Sequence, residues 1–330
     1  MNCAVIGAGA WGTALANVLA TNGHAVALWA REPDVVEAVN GSHENPRFLP
    51  GACVSDRVWA TGVIADALGD AEIVTYVAPS HALREVAASG AHAVRAGAAL
   101  VVASKGIERE TLAIMSDVVG QAVPGHSVVA LSGPSFAAEV ANGQPTAVVV
   151  ACADADAASR VQRAFSSDVF RVYTHDDVVG VELGGALKNV MAVATGIAEG
   201  LGLGFNSRAA LITRGLAEMT RLGVALGASQ ATFAGLAGLG DLVLTCTGAL
   251  SRNRALGMEL GKGRTLEEAL EGKDSVAEGV LNTVSARALA EREGVDMPIV
   301  QAVHRILFES QPPRLAIAEL MTRELRAERD

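Results

Sequence analysis

The chain has 330 residues, half of them apolar, and a formal net charge of −10. That length allows two domains with separate cores, and the acidic balance disfavours nucleic acid, whose binding needs a basic surface. Alanine and glycine supply much of the apolar fraction, no run of about eighteen uncharged apolar residues is evident, and the N-terminus enters a strand without a basic leader, so a cytoplasmic protein with no membrane span is expected.

An anionic ligand gains nothing from the overall field of such a chain and must meet cations concentrated locally. Cys3, Cys53, Cys152 and Cys246 lie far apart, form no Cys-x-x-Cys pair and have no histidine cluster beside them. They are expected to be buried free thiols, with no disulfide framework and no metal site.

Residues 2–6 (NCAVI) predict a short strand ending at Gly7. Helical spacing follows over 10–22 and stops at Gly23, and residues 25–29 (AVALW) predict the next strand. Similar runs recur at 72–78, 98–103, 127–131 and 146–151, with a further one near 172–175. Short continuous apolar runs alternating with helices indicate buried parallel strands in an α/β sheet. After about residue 176 the rhythm gives way to long helical stretches broken by glycines. The expectation is an α/β domain over 1–178 and an all-α domain over 179–330.

Gly7, Gly9 and Gly12 form a G-x-G-x-x-G triplet between the first strand and the first helix. In that context the first glycine permits a tight turn, the second a close approach of backbone to a pyrophosphate, and the third the packing of helix on strand. The helix N-terminus then faces the phosphates. The second strand runs into Arg31, at or near the place where a basic residue suits the 2′-phosphate of NADPH and an acidic one the free hydroxyl of NADH. Glu32 is adjacent, so NADPH and NADH both stay open.

In the second half, Lys188 sits in the apolar string ELGGALKNV, Asp241 in GLGDLVLTC, and Arg252 and Asn253 in SRN. Hydride reduction of a ketone puts negative charge on the carbonyl oxygen, which needs a proton donor or cation beside it. A lysine with a lowered pKa can serve, and a second cation such as Lys105 would lower it. Asp241 would orient the ammonium or cap a helix, with Thr245 four residues on along the same face. Arg252 and Asn253 suit a phosphate, through a guanidinium fork and a neutral donor. Arg254 is expected in solvent. Together these residues point to reduction of a small anionic ketone.

The strings VIGAGAWGTALA (5–16), NPRFLPG (45–51), SKGIE (104–108), LSGPSFAAEV (131–140), GVELGGALKNV (180–190), NSRAALITRGLAEM (206–219) and GLAGLGDLVLTCTGALSRNR (235–254) span nearly the whole sequence. In these the chain resembles the bacterial-type NAD(P)-dependent glycerol-3-phosphate dehydrogenases. The resemblance implies a Rossmann-type domain with a parallel-strand core, followed by an all-α domain of the 6-phosphogluconate-dehydrogenase-like kind. It implies interconversion of dihydroxyacetone phosphate and sn-glycerol 3-phosphate with NADPH or NADH, supplying glycerophospholipid synthesis. Lys188 is then the general acid/base. Lys105, Gly133, Ser135, Asp241, Ser251, Arg252 and Asn253 contact substrate. Gly7, Gly9, Ala10, Trp11, Gly12, Arg31, Phe48, Lys105, Ala137, Arg252, Val276 and Glu278 contact the cofactor. Ala10 and Trp11 stand where the family often has serine and an aromatic, so residue 10 offers backbone contact alone.

Two other readings stay open on the residues. One is a two-domain dehydrogenase of a 3-hydroxy acid or ketopantoate, which would need no phosphate grip. The other is a non-catalytic NADPH-binding regulator, which would have no use for Lys188, Asp241 and Arg252 together. A homodimer is expected, since closed two-fold assemblies are common.

Overall fold

A computed structural model describes the chain except residues 273–276, 326, 329 and 330. Ten strands are described: β1 (Asn2–Ile6), β2 (Ala25–Trp29), β3 (Glu44–Asn45), β4 (Leu49–Cys53), β5 (Val58–Thr61), β6 (Ile73–Tyr76), β7 (Ala99–Val102), β8 (Val128–Ser132), β9 (Thr146–Ala151) and β10 (Phe170–His175). Eight of them form one sheet in the order β10-β9-β8-β7-β6-β1-β2-β5, and β3 and β4 pair separately. All neighbours in the large sheet are parallel except β8 and β9. The expected parallel-strand core is present, with one antiparallel neighbour pair where β9 reverses direction.

The strands read as continuous apolar runs because both faces are covered. Along β1, Cys3 and Val5 enter one core, and Ala4 and Ile6 enter the other. The first core packs under helices α1 (Ala10–Thr21), α2 (Pro33–Ser42), α6 (Ala137–Ala141) and α7 (Ala155–Phe165). The second packs under α3 (Ile64–Leu68), α4 (Leu83–Gly90) and α5 (Met115–Ala122). From β1 the sheet continues to β2 on one side and β6 on the other, so their C-terminal ends form the switch point where open α/β sheets bind ligands.

The remaining helices are α8 (Val178–Gly200), α9 (Phe205–Ala225), α10 (Gln230–Phe233), α11 (Asp241–Thr247), α12 (Arg252–Gly261), α13 (Leu266–Leu270), α14 (Glu278–Glu293), α15 (Pro298–Phe308) and α16 (Pro313–Met321). The chain divides into two compact units, Met1–Gly185 with Ala228–Asp241, and Ala186–Gly227 with Leu242–Asp330. Helix α8 passes from one to the other. Among the described residues α8 is, by length and composition, long and apolar enough to cross a membrane, but 89% of its apolar window is buried inside the protein. Cys3, Cys152 and Cys246 are buried free thiols as expected, whereas Cys53 is exposed, at the end of the short β4.

Helices α8 and α12 approach through glycines. A Cβ on Gly257 would lie 2.2 Å from the Val193 carbonyl oxygen, and one on Gly196 would lie 2.1 Å from that of Arg254. Alanine favours a helix interior over glycine by about 1 kcal/mol, but backbone cannot give way cheaply, and overpacking costs typically about 1–3 kcal/mol or more. Gly257→Ala is therefore expected to lower the thermal midpoint. Gly120→Ala in α5, where a Cβ meets only the Val128 side chain at 3.7 Å, should leave the midpoint unchanged or raise it.

A buried carboxylate on α8 caps α5. The Ser116 amide lies 3.0 and 3.1 Å from the two oxygens of Glu182, and the Ser116 hydroxyl donates at 2.5 Å. Burial nevertheless outweighs these bonds and pushes the Glu182 pKa up to about 7. An unfolded chain loses this proton near its ordinary value of about 4.5 and the folded chain near 7. Folding stability therefore falls as pH rises between those values, by about 1.4 kcal/mol per unit. In Glu182→Gln the group does not titrate. Its stability relative to wild type should shift in its favour by up to about 3 kcal/mol from pH 4.5 to 7. Parallel stability curves for the two proteins would refute the assignment.

Candidate functional site

The glycine loop is built at the switch point. Gly7 has φ +123°, and a Cβ there would press on the Val77 carbonyl at 3.0 Å. At Gly12 a Cβ would sit 1.8 Å from the Gly7 oxygen. At Gly9 nothing lies within 4 Å, and Gly9 is the N-cap of α1 with no side-chain cap. Gly7 and Gly12 are thus required by packing, and Gly9 faces open space at a helix N-terminus. That is the geometry a pyrophosphate needs.

The Gly7 amide donates to the Trp29 carbonyl at 3.1 Å, tying the loop to the end of β2. Arg31 lies two residues beyond. Its side chain is 84% exposed and donates to Glu32 through Nε at 3.1 Å and Nη2 at 2.9 Å. Ala10, Trp11, Phe48 and Ala137 are partly buried against the adjoining core. Phe48 is held in place by Asn45, a fully buried residue absent from the expected site. Asn45 donates to the Ala8 carbonyl and the Thr13 hydroxyl at 2.8 Å each, and accepts from the Phe48 amide at 3.2 Å. The N-P turn signal in NPRFLPG is the sequence trace of this anchor.

A second constellation in the first unit gathers Lys105, Gly133, Ser135 and Asp241. Lys105 Nζ donates to Asp241 Oδ2 at 2.6 Å and to the Gly133 carbonyl at 3.1 Å. Ser135 Oγ donates to the same carbonyl at 3.0 Å. Asp241 is 1% exposed and Lys105 17%, so this is a largely desolvated ion pair. Gly133 has φ +134°, and a Cβ there would meet Val148 Cα at 3.0 Å, which fixes glycine at the turn after β8. Asp241 follows a single π-helical turn, Leu236–Gly240, and opens α11 without being its N-cap. Such π turns are rare and are frequent at functional sites. A Cβ on Gly185 of α8 would come within 3.5 Å of the Lys105 stem.

Lys188 lies one turn further along α8, in the second unit. It is 7% exposed, and its Nζ donates to Thr245 Oγ1 at 3.0 Å. Next to it, Asn189 accepts from Asn253 Nδ2 at 2.9 Å, and Asn253 Oδ1 accepts from the Gly279 amide at 2.9 Å. Asn253 thereby links α8, α12 and the start of α14, where Glu278 is the first helical residue. Ser251 is the N-cap of α12, accepting from the Arg254 amide at 3.2 Å, and Arg252 is the first helical residue and exposed. Val276 lies outside the described residues.

Arg254 corrects the sequence reading. It is 14% exposed and forks onto Glu199, so it is a structural cation and not a solvent-facing one. The sequence offered no signal for this pair, whose members stand 55 residues apart.

A dinucleotide cradle at the switch point of an open sheet, followed by a helical unit with a buried lysine, puts the chain among the two-domain nicotinamide-dependent dehydrogenases. Residues 2–158 match the N-terminal and residues 177–318 the C-terminal profile of NAD-dependent glycerol-3-phosphate dehydrogenase, and the chain belongs to that family. The NAD(P)+ glycerol-3-phosphate dehydrogenase of Geobacter metallireducens is 55% identical over 329 residues, 98% of either chain. That of Citrifermentans bemidjiense is 53% identical over 328 residues, again 98% of either chain. The crystal structure of glycerol-3-phosphate dehydrogenase from Coxiella burnetii superposes with a TM-score of 0.94 at 41% identity, covering 98% of this chain and 99% of that one.

Proposed function

We propose that Lys188 is the proton donor in this chain's reaction, the reduction of dihydroxyacetone phosphate to sn-glycerol 3-phosphate with NADH or NADPH. The observation that carries the proposal is a lysine ammonium at 7% exposure, oriented by Thr245 on a helix that is apolar around it. When bound, the nicotinamide supplies the hydride to the carbonyl carbon. The electron pair of the C=O bond moves to oxygen, and Lys188 Nζ delivers the proton that neutralises it. The reverse reaction returns that proton to the lysine.

Lys105 and Asp241 hold each other, and with them the Gly133–Ser135 turn that borders the substrate. Ser251, Arg252 and Asn253 form the phosphate grip at the start of α12, where helix amides and a guanidinium favour an anion. On the cofactor side, Gly7, Gly9 and Gly12 with Ala10 and Trp11 cradle the pyrophosphate. Phe48, Ala137 and Glu278 are the further proposed cofactor contacts. The experiment that tests the whole reading is loss of NADPH absorbance on adding dihydroxyacetone phosphate, with unphosphorylated dihydroxyacetone as control. A 3-hydroxy-acid dehydrogenase or a non-catalytic regulator would show no loss specific to the phosphorylated ketone.

Arg31 is the proposed reader of the ribose, favouring NADPH. Its guanidinium is exposed beyond the strand that borders the glycine loop. Arg31→Asp is expected to lower kcat/KM with NADPH much more than with NADH, since the loss of a cation and the gain of a carboxylate act on the 2′-phosphate. An unchanged ratio of the two efficiencies would assign the ribose to another residue. The proposed setting is a cytoplasmic homodimer supplying glycerophospholipid synthesis, with the dimer testable by light scattering.

A further inference from the structure

We propose that Glu199 is a positioning residue for the substrate phosphate, acting through Arg254. The proposal rests on the reading of Arg252 as the phosphate ligand. Arg254 donates to Glu199 through Nε at 2.9 Å and through Nη2 at 2.6 Å, a planar two-point fork. Its remaining arm, Nη1, reaches the Gly248 carbonyl at 3.4 Å. Its own amide is capped by Ser251. The turn 248–254 is therefore tied at its start to the guanidinium that its last residue carries, and the proposed phosphate residues Ser251, Arg252 and Asn253 lie between.

Glu199 anchors that guanidinium to α8, the helix that carries Lys188 eleven residues earlier in sequence. The glycine contacts between α8 and α12 leave little room for the turn to slide along α8. A second cation adds to the effect. Arg208 Nη2 lies 2.9 Å from Glu199 Oε2, so one carboxylate is shared by two arginines. The trio carries a net charge of +1, and its member Arg254 stands two residues from Arg252, in a chain whose overall charge is −10. Glu199 thus fixes the turn in place while leaving the neighbourhood positive.

Steady-state kinetics on Glu199→Gln test this. Glutamine keeps the volume but loses the charge-assisted fork. KM for dihydroxyacetone phosphate should rise about tenfold, within the roughly 10²-fold that a 1 Å misplacement can cost, with kcat nearly unchanged. Turnover of unphosphorylated dihydroxyacetone should hold. Equal losses on both ketones, or a fall in kcat at constant KM, would overturn the proposal. Should Glu199→Gln fail to fold, Arg254→Lys keeps the charge, loses the fork, and carries the same expectation. Arg252→Ala in the same assay separates the two ideas. If it spares dihydroxyacetone phosphate, the phosphate reading falls and this proposal with it. If it is selective for the phosphorylated ketone while Glu199→Gln and Arg254→Lys behave as wild type, only the positioning role of Glu199 falls.

Discussion

Lys188→Ala is expected to lower kcat by roughly 10²–10⁴-fold, the usual contribution of a general acid or base, while NADPH affinity stays near that of wild type. The chemical reason is that hydride addition leaves an alkoxide with no other proton source of suitable reach proposed in this site. The physical reason is that Lys188 is held, at 7% exposure and by Thr245, in an orientation that a mobile surface lysine would not keep. Lys188→Met, closer in volume, should be as inactive as the alanine variant, with circular dichroism checking that both variants are folded. Fluorescence titration with NADPH supplies the control on binding. A variant with near wild-type kcat would remove Lys188 from the chemistry.

How much of this was legible in the sequence depended on the range of the interaction. Strands β1, β2, β6, β7 and β8 are buried on both faces, so their residues form continuous apolar runs that mark them out. Strands β3, β4 and β5 left no such mark. The short β4, LPGAC, is buried at only two of its five positions and contains Pro50 and Gly51, which read as a turn. The reversal of β9 was not legible either, because TAVVVA presents the same apolar faces in either direction. Within the site, the glycine loop was readable because its function is local: three glycines, one turn, one helix end. The Lys105–Asp241 pair spans 136 residues, and the Asn253–Asn189 bond spans 64. Such contacts are set by how helices pack, and no local pattern encodes them. Arg254 failed for the same reason. Beside Arg252 it looked like a spare surface cation until its fork onto α8 was seen.

That contrast between the two arginines sharpens the last prediction. Arg254 is committed to Glu199, whereas Arg252 is exposed at the first position of α12. A doubly charged phosphate brought to an acidic protein needs a local cation, and the turn at 251–253 offers Arg252 together with a helix N-terminus. Truncating one partner of a desolvated charge pair costs about 2–5 kcal/mol. Because Arg252 is exposed, the lower part of that range applies, about 2–3.4 kcal/mol, which at about 1.4 kcal/mol per tenfold is roughly a 30- to 300-fold loss. Arg252→Ala should therefore reduce kcat/KM for dihydroxyacetone phosphate by that factor. Arg252→Lys should recover part of it, since an ammonium supplies charge without the two-point fork. The low activity on unphosphorylated dihydroxyacetone should hardly change, because that ketone has no phosphate to lose. Equal proportional losses on both ketones would mean that Arg252 serves the cofactor or the fold. The phosphate site would then have to be built around Lys105, whose ammonium already lies 2.6 Å from Asp241 and would have to be shared between that carboxylate and the ligand.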